Sequence, residues 1–289
     1  MKKLLRNKTA IITGGNQGLG LKIAEFFLKN GANVIIAARN KNKINDAIEL
    51  LSPFCEENII IGKKTDITNK VECDDLISTT MQKLNRIDIL VNNAGIIGAK
   101  GKLDELDWKI WESAIDVNLK GTVFLCHRIL PIMKKQLSGK IIILSGGGAT
   151  KPTPTMSAYA ASKAALVRFS ECLALEMAPY HIDVNAVAPG ALNTQMLEDI
   201  LQAGPKLIDE TLYQKAAAQQ KNGGDNPERA ANLCVFLASD KSNGITGKLI
   251  SAIWDPWETL SDYRDQLIHS DIYTLRRIVP EDRKMDWKS

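Results

Sequence analysis

Along this chain, short unbroken runs of β-branched and other apolar residues alternate with stretches in which apolar positions recur every three or four residues. Strand-length runs fall at 9–13, 33–38, 59–62, 87–91, 140–144 and 183–188, with a last one at 248–252. Helical periodicity fills 17–30, 43–51, 70–84, 157–177 and 227–238, and covers 108–133 with a break inside it. Strands apolar on both faces, each followed by an amphipathic helix, build βαβ units and a parallel sheet covered on both sides. No linker rich in proline, glycine or serine divides the pattern, which therefore predicts one doubly wound α/β domain of about seven parallel strands. Residues 191–225 are more polar, yet Met196, Leu197, Ile200 and Leu201 keep helical spacing, as a short amphipathic lid or an ordinary packed surface helix would.

Composition adds exclusions. At 289 residues, 45% hydrophobic and 24% charged, the chain has the balance of an ordinary globular protein. Its 37 Lys and Arg against 33 Asp and Glu leave +4, spread along the chain, which gives no footprint for nucleic acid. The apolar runs are far shorter than the roughly 20 residues of a membrane span, and the basic N-terminus lacks the apolar stretch of a signal peptide. The cysteines Cys55, Cys73, Cys126, Cys172 and Cys234 are odd in number and never closely paired. They argue against a disulfide framework, predict no metal site, and fit a reducing cytoplasm.

The chemistry begins between the first strand and the first helix, at Thr13-Gly14-Gly15-Asn16-Gln17-Gly18-Leu19-Gly20. Phosphates need backbone N–H groups at close range and the positive end of a helix, and glycines permit both the turn and the approach. After the fourth strand comes Asn92-Asn93-Ala94-Gly95, then Asn118 in the fourth helical stretch, Tyr159-Ala-Ala-Ser-Lys163 in the next helix, and Pro189-Gly190 with Thr194 after the sixth strand. Tyr159 and Lys163 lie four apart, so on a helix they share a face. A phenol with its usual pKa of about 10 is a poor base at neutral pH, and a neighbouring ammonium favours its ionised form.

These signals, in this order over residues 8–252, resemble the classical short-chain dehydrogenase/reductase family. The Gly-x-x-x-Gly-x-Gly spacing sets the chain apart from the extended subtype of sugar-nucleotide epimerases. The resemblance implies a Rossmann-like fold, an NAD(P)-dependent exchange between a secondary alcohol and a ketone, a small carbonyl or alcohol substrate, and a homodimer or homotetramer. It places cofactor contacts at Thr13, Gly14, Asn16, Gln17, Gly18, Leu19, Gly20, Asp66, Ile67, Asn92, Ala94, Gly95, Tyr159, Lys163, Pro189, Gly190 and Thr194. It implies that Tyr159 is the acid/base, that Lys163 also binds the nicotinamide ribose, and that Asn118 holds a water linking Lys163 to solvent. Asp66 matches the family's adenine-binding position, with a helix N-cap for the segment near Asn69 as its other meaning.

The second strand ends Ala37-Ala38-Arg39-Asn40, with no carboxylate to repel a 2′-phosphate and an arginine able to fork onto one. NADP is therefore expected over NAD, although Gln17 stands where many NADP-preferring relatives carry a base. A second departure concerns the carbonyl. Family members usually place a serine thirteen residues before the tyrosine; here that position is Gly146, and the nearest hydroxyl is Ser145. Either a bulge or bend, eased by Gly146-Gly147-Gly148, turns Ser145 into the site, or Ser145 faces away as strand alternation requires and the hydroxyl is missing. With that hydroxyl in doubt, the alternative function is a cofactor-binding protein with weak or no catalysis, acting as a sensor or partner subunit.

The expected cofactor-binding domain spans 1–254, and 255–289 is an extension. Trp254 just before it and Trp257, Tyr263, Tyr273 and Trp287 within it are aromatic anchors, and Arg276 and Arg277 offer forks for a phosphate or carboxylate. Two roles are open: a cover over the substrate opening that selects an anionic or sugar-like substrate, and a clamp for oligomerisation.

Overall fold

The computed structural model describes residues 3–287; residues 1–2 and 288–289, the outer ends of the two expected segments, lie outside it. Its strands are β1 (Thr9–Thr13), β2 (Asn33–Ala38), β3 (Ile60–Lys64), β4 (Ile89–Asn92), β5 (Gly139–Leu144), β6 (Ile182–Ala188) and β7 (Leu249–Ser251). All pair in parallel, in the order β3-β2-β1-β4-β5-β6-β7. The order reverses between β1 and β4, and the crevice at the carboxyl ends of those two strands is where such sheets bind ligands.

The helices are α1 (Gly18–Lys29), α2 (Lys41–Leu51), α3 (Lys70–Leu84), α4 (Trp108–Ala114), α5 (Thr122–Gln136), α6 (Ser157–Met177), α7 (Gln195–Ala203), α8 (Glu210–Asn222), α9 (Pro227–Ala238) and α10 (Arg264–Ile268). Alternation along the strands sorts the core into two layers. Ala10, Ile12, Val34 and Ile36 meet α1, α2 and α9 on one face, while Ile11, Ile35 and Ala37 meet α3, α5 and α6 on the other. Every residue of β1 is buried, and each buried isoleucine contributes about 1.5–3 kcal/mol relative to exposure. The central strands thus form the rigid floor under the crevice.

Three local features differ from the sequence pattern. The 108–133 stretch has no break: α4 runs into α5 through a π-helical turn at Ile115–Gly121. There Gly121 lies so close to Ile67 that a Cβ would meet its Cγ1 and carbonyl at 2.9 Å. The polar segment 191–225 holds two helices, α7 and α8, rather than one. Finally, α2 begins earlier than expected because Asn40 caps it, accepting from Lys43 N at 3.1 Å.

The C-terminal extension is built into the domain. Buried Trp257 tilts against Phe236 of α9 at 6.2 Å, its indole donates to Ala252 O at 3.1 Å, and Leu260 and Leu267 join the core on that face. The chain then runs beside β7, with Leu249 N donating to Tyr273 O at 2.8 Å, which covers the open sheet edge. Lys248 Nζ donates to Ser270 O and Ile272 O at 2.9 and 3.0 Å, and Leu275 N donates to Glu171 Oε1 of α6 at 2.6 Å. Trp254 and Trp287 remain exposed, so the aromatic residues do not act as one set. Of the two expected forks for an anionic ligand, Arg276 is held within the extension by Asp271 and Asp282, both at 2.6 Å, while Arg277 is exposed.

Candidate active site

The turn between β1 and α1 is held from β4. Thr13 Oγ1 accepts from Asn93 N and Ala94 N, each at 3.0 Å, and Asn93 Nδ2 donates to Thr13 O and Gly14 O at 2.9 and 3.2 Å. Gly14 and Gly18 have φ of +64° and +54°, in the left-handed region that favours glycine. A Cβ on Gly20 would lie 2.2 Å from Gly14 O, so the turn closes onto the helix only with glycine there. Gln17 opens α1 without a side-chain cap. The first-turn N–H groups are thus left for a ligand, and the residues present fit a dinucleotide pyrophosphate.

Other expected contact residues lie at or just beyond the carboxyl ends of the strands and at the start of the helices. Thr194, at the start of α7, brings its methyl to 3.6 Å from where a Cβ of Gly18 would be, and Gly190 (φ +97°) lets the preceding loop pass Asp225 and Ile253. Leu19 and Ile67 are buried, and Asn16 is partly exposed. Pro189 immediately follows β6. Asp66 is not the cap of α3: Asn69 is, and Asp66 Oδ1 accepts from Thr68 N and Oγ1 at 2.9 and 2.7 Å in a turn just before it. Arg39 is exposed at the end of β2. Nearby, Lys43 Nζ reaches Gln17 Oε1 at 3.2 Å, a link that sequence spacing alone does not disclose.

One expected cofactor residue points elsewhere. Asn92 is buried with its Nδ2 3.4 Å from Cys126 Sγ and its Oδ1 unpartnered, because alternation along β4 turns it toward α5. Asn93, one position on, does the holding; the doubled asparagine in the sequence was the available signal.

On the other side of the crevice, α6 carries Tyr159 and Lys163 in its first two turns. Lys163 Nζ donates to Leu144 O, the last carbonyl of β5, at 2.7 Å, and lies 5.7 Å from the Tyr159 ring centre. Burial pushes the lysine down to about 8. Burial also raises the Tyr159 phenol above its ordinary value, so the expected lowering by the ammonium is outweighed in this state. A Cβ on Gly95 would come within 3.2 Å of Asn118 Oδ1 and 3.6 Å of Lys163 Nζ, so glycine keeps this spot open. Fully buried Asn118 sits on the π-helical turn, accepts from Ile96 N at 2.8 Å, and donates to Ile96 O at 2.9 Å and Ser162 Oγ at 3.0 Å. Its side-chain amide ties the β4 exit to α6.

The serine question has a definite geometry. Ser145 N donates to Val187 O at 2.8 Å, so the ladder continues past β5 without a bulge, and Gly146 is extended at φ 174°, ψ 176°. Alternation therefore holds. The Ser145 hydroxyl is buried and 3.5 Å from Lys163 O, and it is Gly146 that faces the phenol, its absent Cβ 2.9 Å from Tyr159 Oη. The expectation that Ser145 turns into the site is corrected: three glycines permit a bend, but the intact pairing with β6 removes the need for one. Ser157, the first residue of α6, carries another hydroxyl, whose Oγ accepts from Trp111 Nε1 at 3.1 Å.

This arrangement, a glycine turn held by Asn93 opposite a Tyr and Lys one helical turn apart, can be compared with known proteins. Residues 8–204 match a family model described as short chain dehydrogenase. The chain belongs to the short-chain dehydrogenase family. It is 34% identical over 247 residues to "Dehydrogenase/reductase SDR family member 4" of Caenorhabditis elegans, covering 84% of this chain and 92% of the relative. It is also 34% identical over 251 residues to the 3-oxoacyl-(acyl-carrier-protein) reductase FabG of Chlamydia trachomatis serovar D, covering 87% and 98%. A crystal structure of levodione reductase superposes with a TM-score of 0.79 at 22% identity, covering 89% of this chain and 99% of that one, a likeness of fold. The family is one of oxidoreductases that bind NAD or NADP. Among the described residues no helix is long and apolar enough to cross a membrane, no cluster could hold a metal ion, and all five cysteines are free.

Proposed function

We propose that this protein is an NADP-preferring dehydrogenase/reductase that interconverts a secondary alcohol and a ketone, with Tyr159 as the acid/base. The observation that carries the reading is Tyr159 over Lys163 on one face of α6, opposite the vacant side-chain positions of Gly95 and Gly146. The nicotinamide, when bound, supplies the hydride. Tyr159 Oη gives its proton to the oxygen of the ketone as that oxygen gains charge, and takes it back in the reverse direction. Lys163 stands behind the phenol and favours its ionised form once charged. Asn118 positions both groups by tying Ile96 to Ser162, whose Oγ donates to Tyr159 O at 2.7 Å. Thr13, Asn93 and the glycines hold the pyrophosphate turn in shape.

The preference for NADP rests on Arg39 and on Lys43, which stands at Gln17 where a base would otherwise come from the turn. Residues 39–43 carry Arg39, Lys41 and Lys43 and no carboxylate. Fluorescence titration with NADPH and NADH tests it. Arg39→Ala is expected to weaken NADPH by about 10- to 100-fold, the range for a hydrogen bond to a charged group, and to leave NADH unchanged. Equal binding of both cofactors, unaltered in the variant, refutes the preference. Action as a cytoplasmic homodimer or homotetramer belongs to the same reading, and sedimentation checks the assembly.

Gly146 favours one competing reading, a cofactor-binding sensor or partner subunit with weak or no catalysis. It leaves the position facing the phenol without a second side-chain hydroxyl to polarise a carbonyl. Cofactor binding with no NADPH consumption across a broad ketone panel decides for it.

A further inference from the structure

Tyr159 is walled on one side by apolar groups. Buried Ile97, Met156 and Ile208 pack with Met196, Ile200 and Ala203, and the tyrosine ring belongs to the same cluster. Outward from this wall lies a cleft of about 380 Å³, bounded by Gly98, Ala99, Leu106 and Ile110 on one side and by Ala203 and Leu207 on the other. Its size is within the roughly 300–1,000 Å³ of small-molecule sites. Ala203 belongs to both the wall and the cleft, and Gly98 follows Ile97, so the cleft adjoins the apolar cluster that holds the Tyr159 ring.

We infer that the substrate is a neutral carbonyl compound with an elongated apolar body, and that this body lies in the cleft between residues 98–110 and α7 while its carbonyl meets Tyr159. The inference rests on the proposed oxidoreductase function for the placing of the carbonyl. Each side of the cleft offers apolar surface, Gly98, Ala99, Leu106 and Ile110 on one and Ala203 and Leu207 on the other, and Ile110 and Leu207 are half exposed there, uncovered within the chain. The polar groups at the cleft are Lys100, Asp107, Asp199 and Gln202. Asp107 caps α4, accepting from Lys109 N at 2.8 Å and Ile110 N at 3.4 Å, and Asp199 accepts from Gln195 Nε2 at 3.2 Å. Two carboxylates against one ammonium disfavour an anionic body, whereas an apolar chain is served by every remaining surface. Neither Arg276 nor Arg277 lines the cleft, and Arg276 is closed into its own ion pairs.

A homologous series of straight-chain 2-ketones, from butanone to decanone, tests this by calorimetric binding to the NADP⁺-saturated protein, where no turnover interferes. Each methylene buried is worth about 0.8 kcal/mol, so affinity is expected to rise about fourfold per added carbon until the cleft is full. Ile110→Asp with Leu207→Asp, at two half-exposed positions whose replacement leaves the core intact, is expected to flatten the rise. A flat series in the unaltered protein, or an undiminished slope in the double variant, overturns the inference. NADPH oxidation with the same ketones separates it from the activity: binding that climbs with chain length but gives no turnover refutes the reductase reading and leaves the cleft assignment supported.

Discussion

Lys163 gives the site a measurable signature in stability. Its Nζ is buried, with Leu144 O as hydrogen-bond partner, and burial holds it at about 8, whereas a lysine in an unfolded chain titrates near 10.4. Between those values the unfolded chain binds one more proton than the folded one. Stability therefore rises as pH climbs from about 8 to about 10.4, and below that window the full penalty of burying the ammonium is present. One pKa unit corresponds to about 1.36 kcal/mol, so the gap amounts to roughly 3 kcal/mol. Lys163→Met keeps the length of the side chain and removes the titration. Urea unfolding of both proteins at pH 7 and pH 10.5, at one protein concentration, isolates the effect, because other titrating groups are common to both. The unaltered protein is expected to gain about 3 kcal/mol more than the variant across this range. A difference between the two proteins that is the same at both pH values refutes the buried, depressed lysine.

Two further outcomes follow from the geometry. Ser145→Ala is expected to leave kcat unchanged, since its hydroxyl faces Lys163 O, while Gly146→Val displaces the phenol 2.9 Å away and lowers kcat by about 100-fold, the usual effect of a 1 Å misplacement. NADPH titration and kinetics check both, and a loss in the serine variant with none in the glycine variant reverses the assignment. Removing the chain after His269 takes away the Tyr273, Ser270, Ile272 and Leu275 hydrogen bonds to β7 and α6. At about 1 kcal/mol each, that is roughly 4 kcal/mol of stability, read as a lower Tm with an unchanged KM; a raised KM with an unchanged Tm returns the extension to the substrate opening.

The parallel sheet was legible because strands buried on both faces leave unbroken apolar runs, and the pyrophosphate turn because glycine is needed at Gly14, Gly18 and Gly20 for reasons written into the backbone. Tyr159 and Lys163 were legible as a pair at helical spacing. The direction of Ser145 was not, since three glycines allow a bend and only the continued pairing with β6 shows that none is made. Tertiary contacts decide the rest. Asn92 and Asn93 are alike in sequence but point to opposite sides of one strand end. Lys43 meets Gln17 only because α2 begins beside α1. The extension's aromatic residues suggested a cover or clamp, whereas its backbone groups, which carry no sequence signal, fasten it to the β7 edge.

In the proposed reaction one oxygen, Tyr159 Oη, moves the proton, and its removal is the most direct measurement. With NADPH and a ketone that the unaltered protein reduces, Tyr159→Phe is expected to bind NADPH as before and to lose about 10²- to 10⁴-fold in kcat, the usual contribution of a positioned acid. A phenylalanine variant that reduces the ketone at the original rate contradicts the assignment of Tyr159 and, with it, the proposed function of the site.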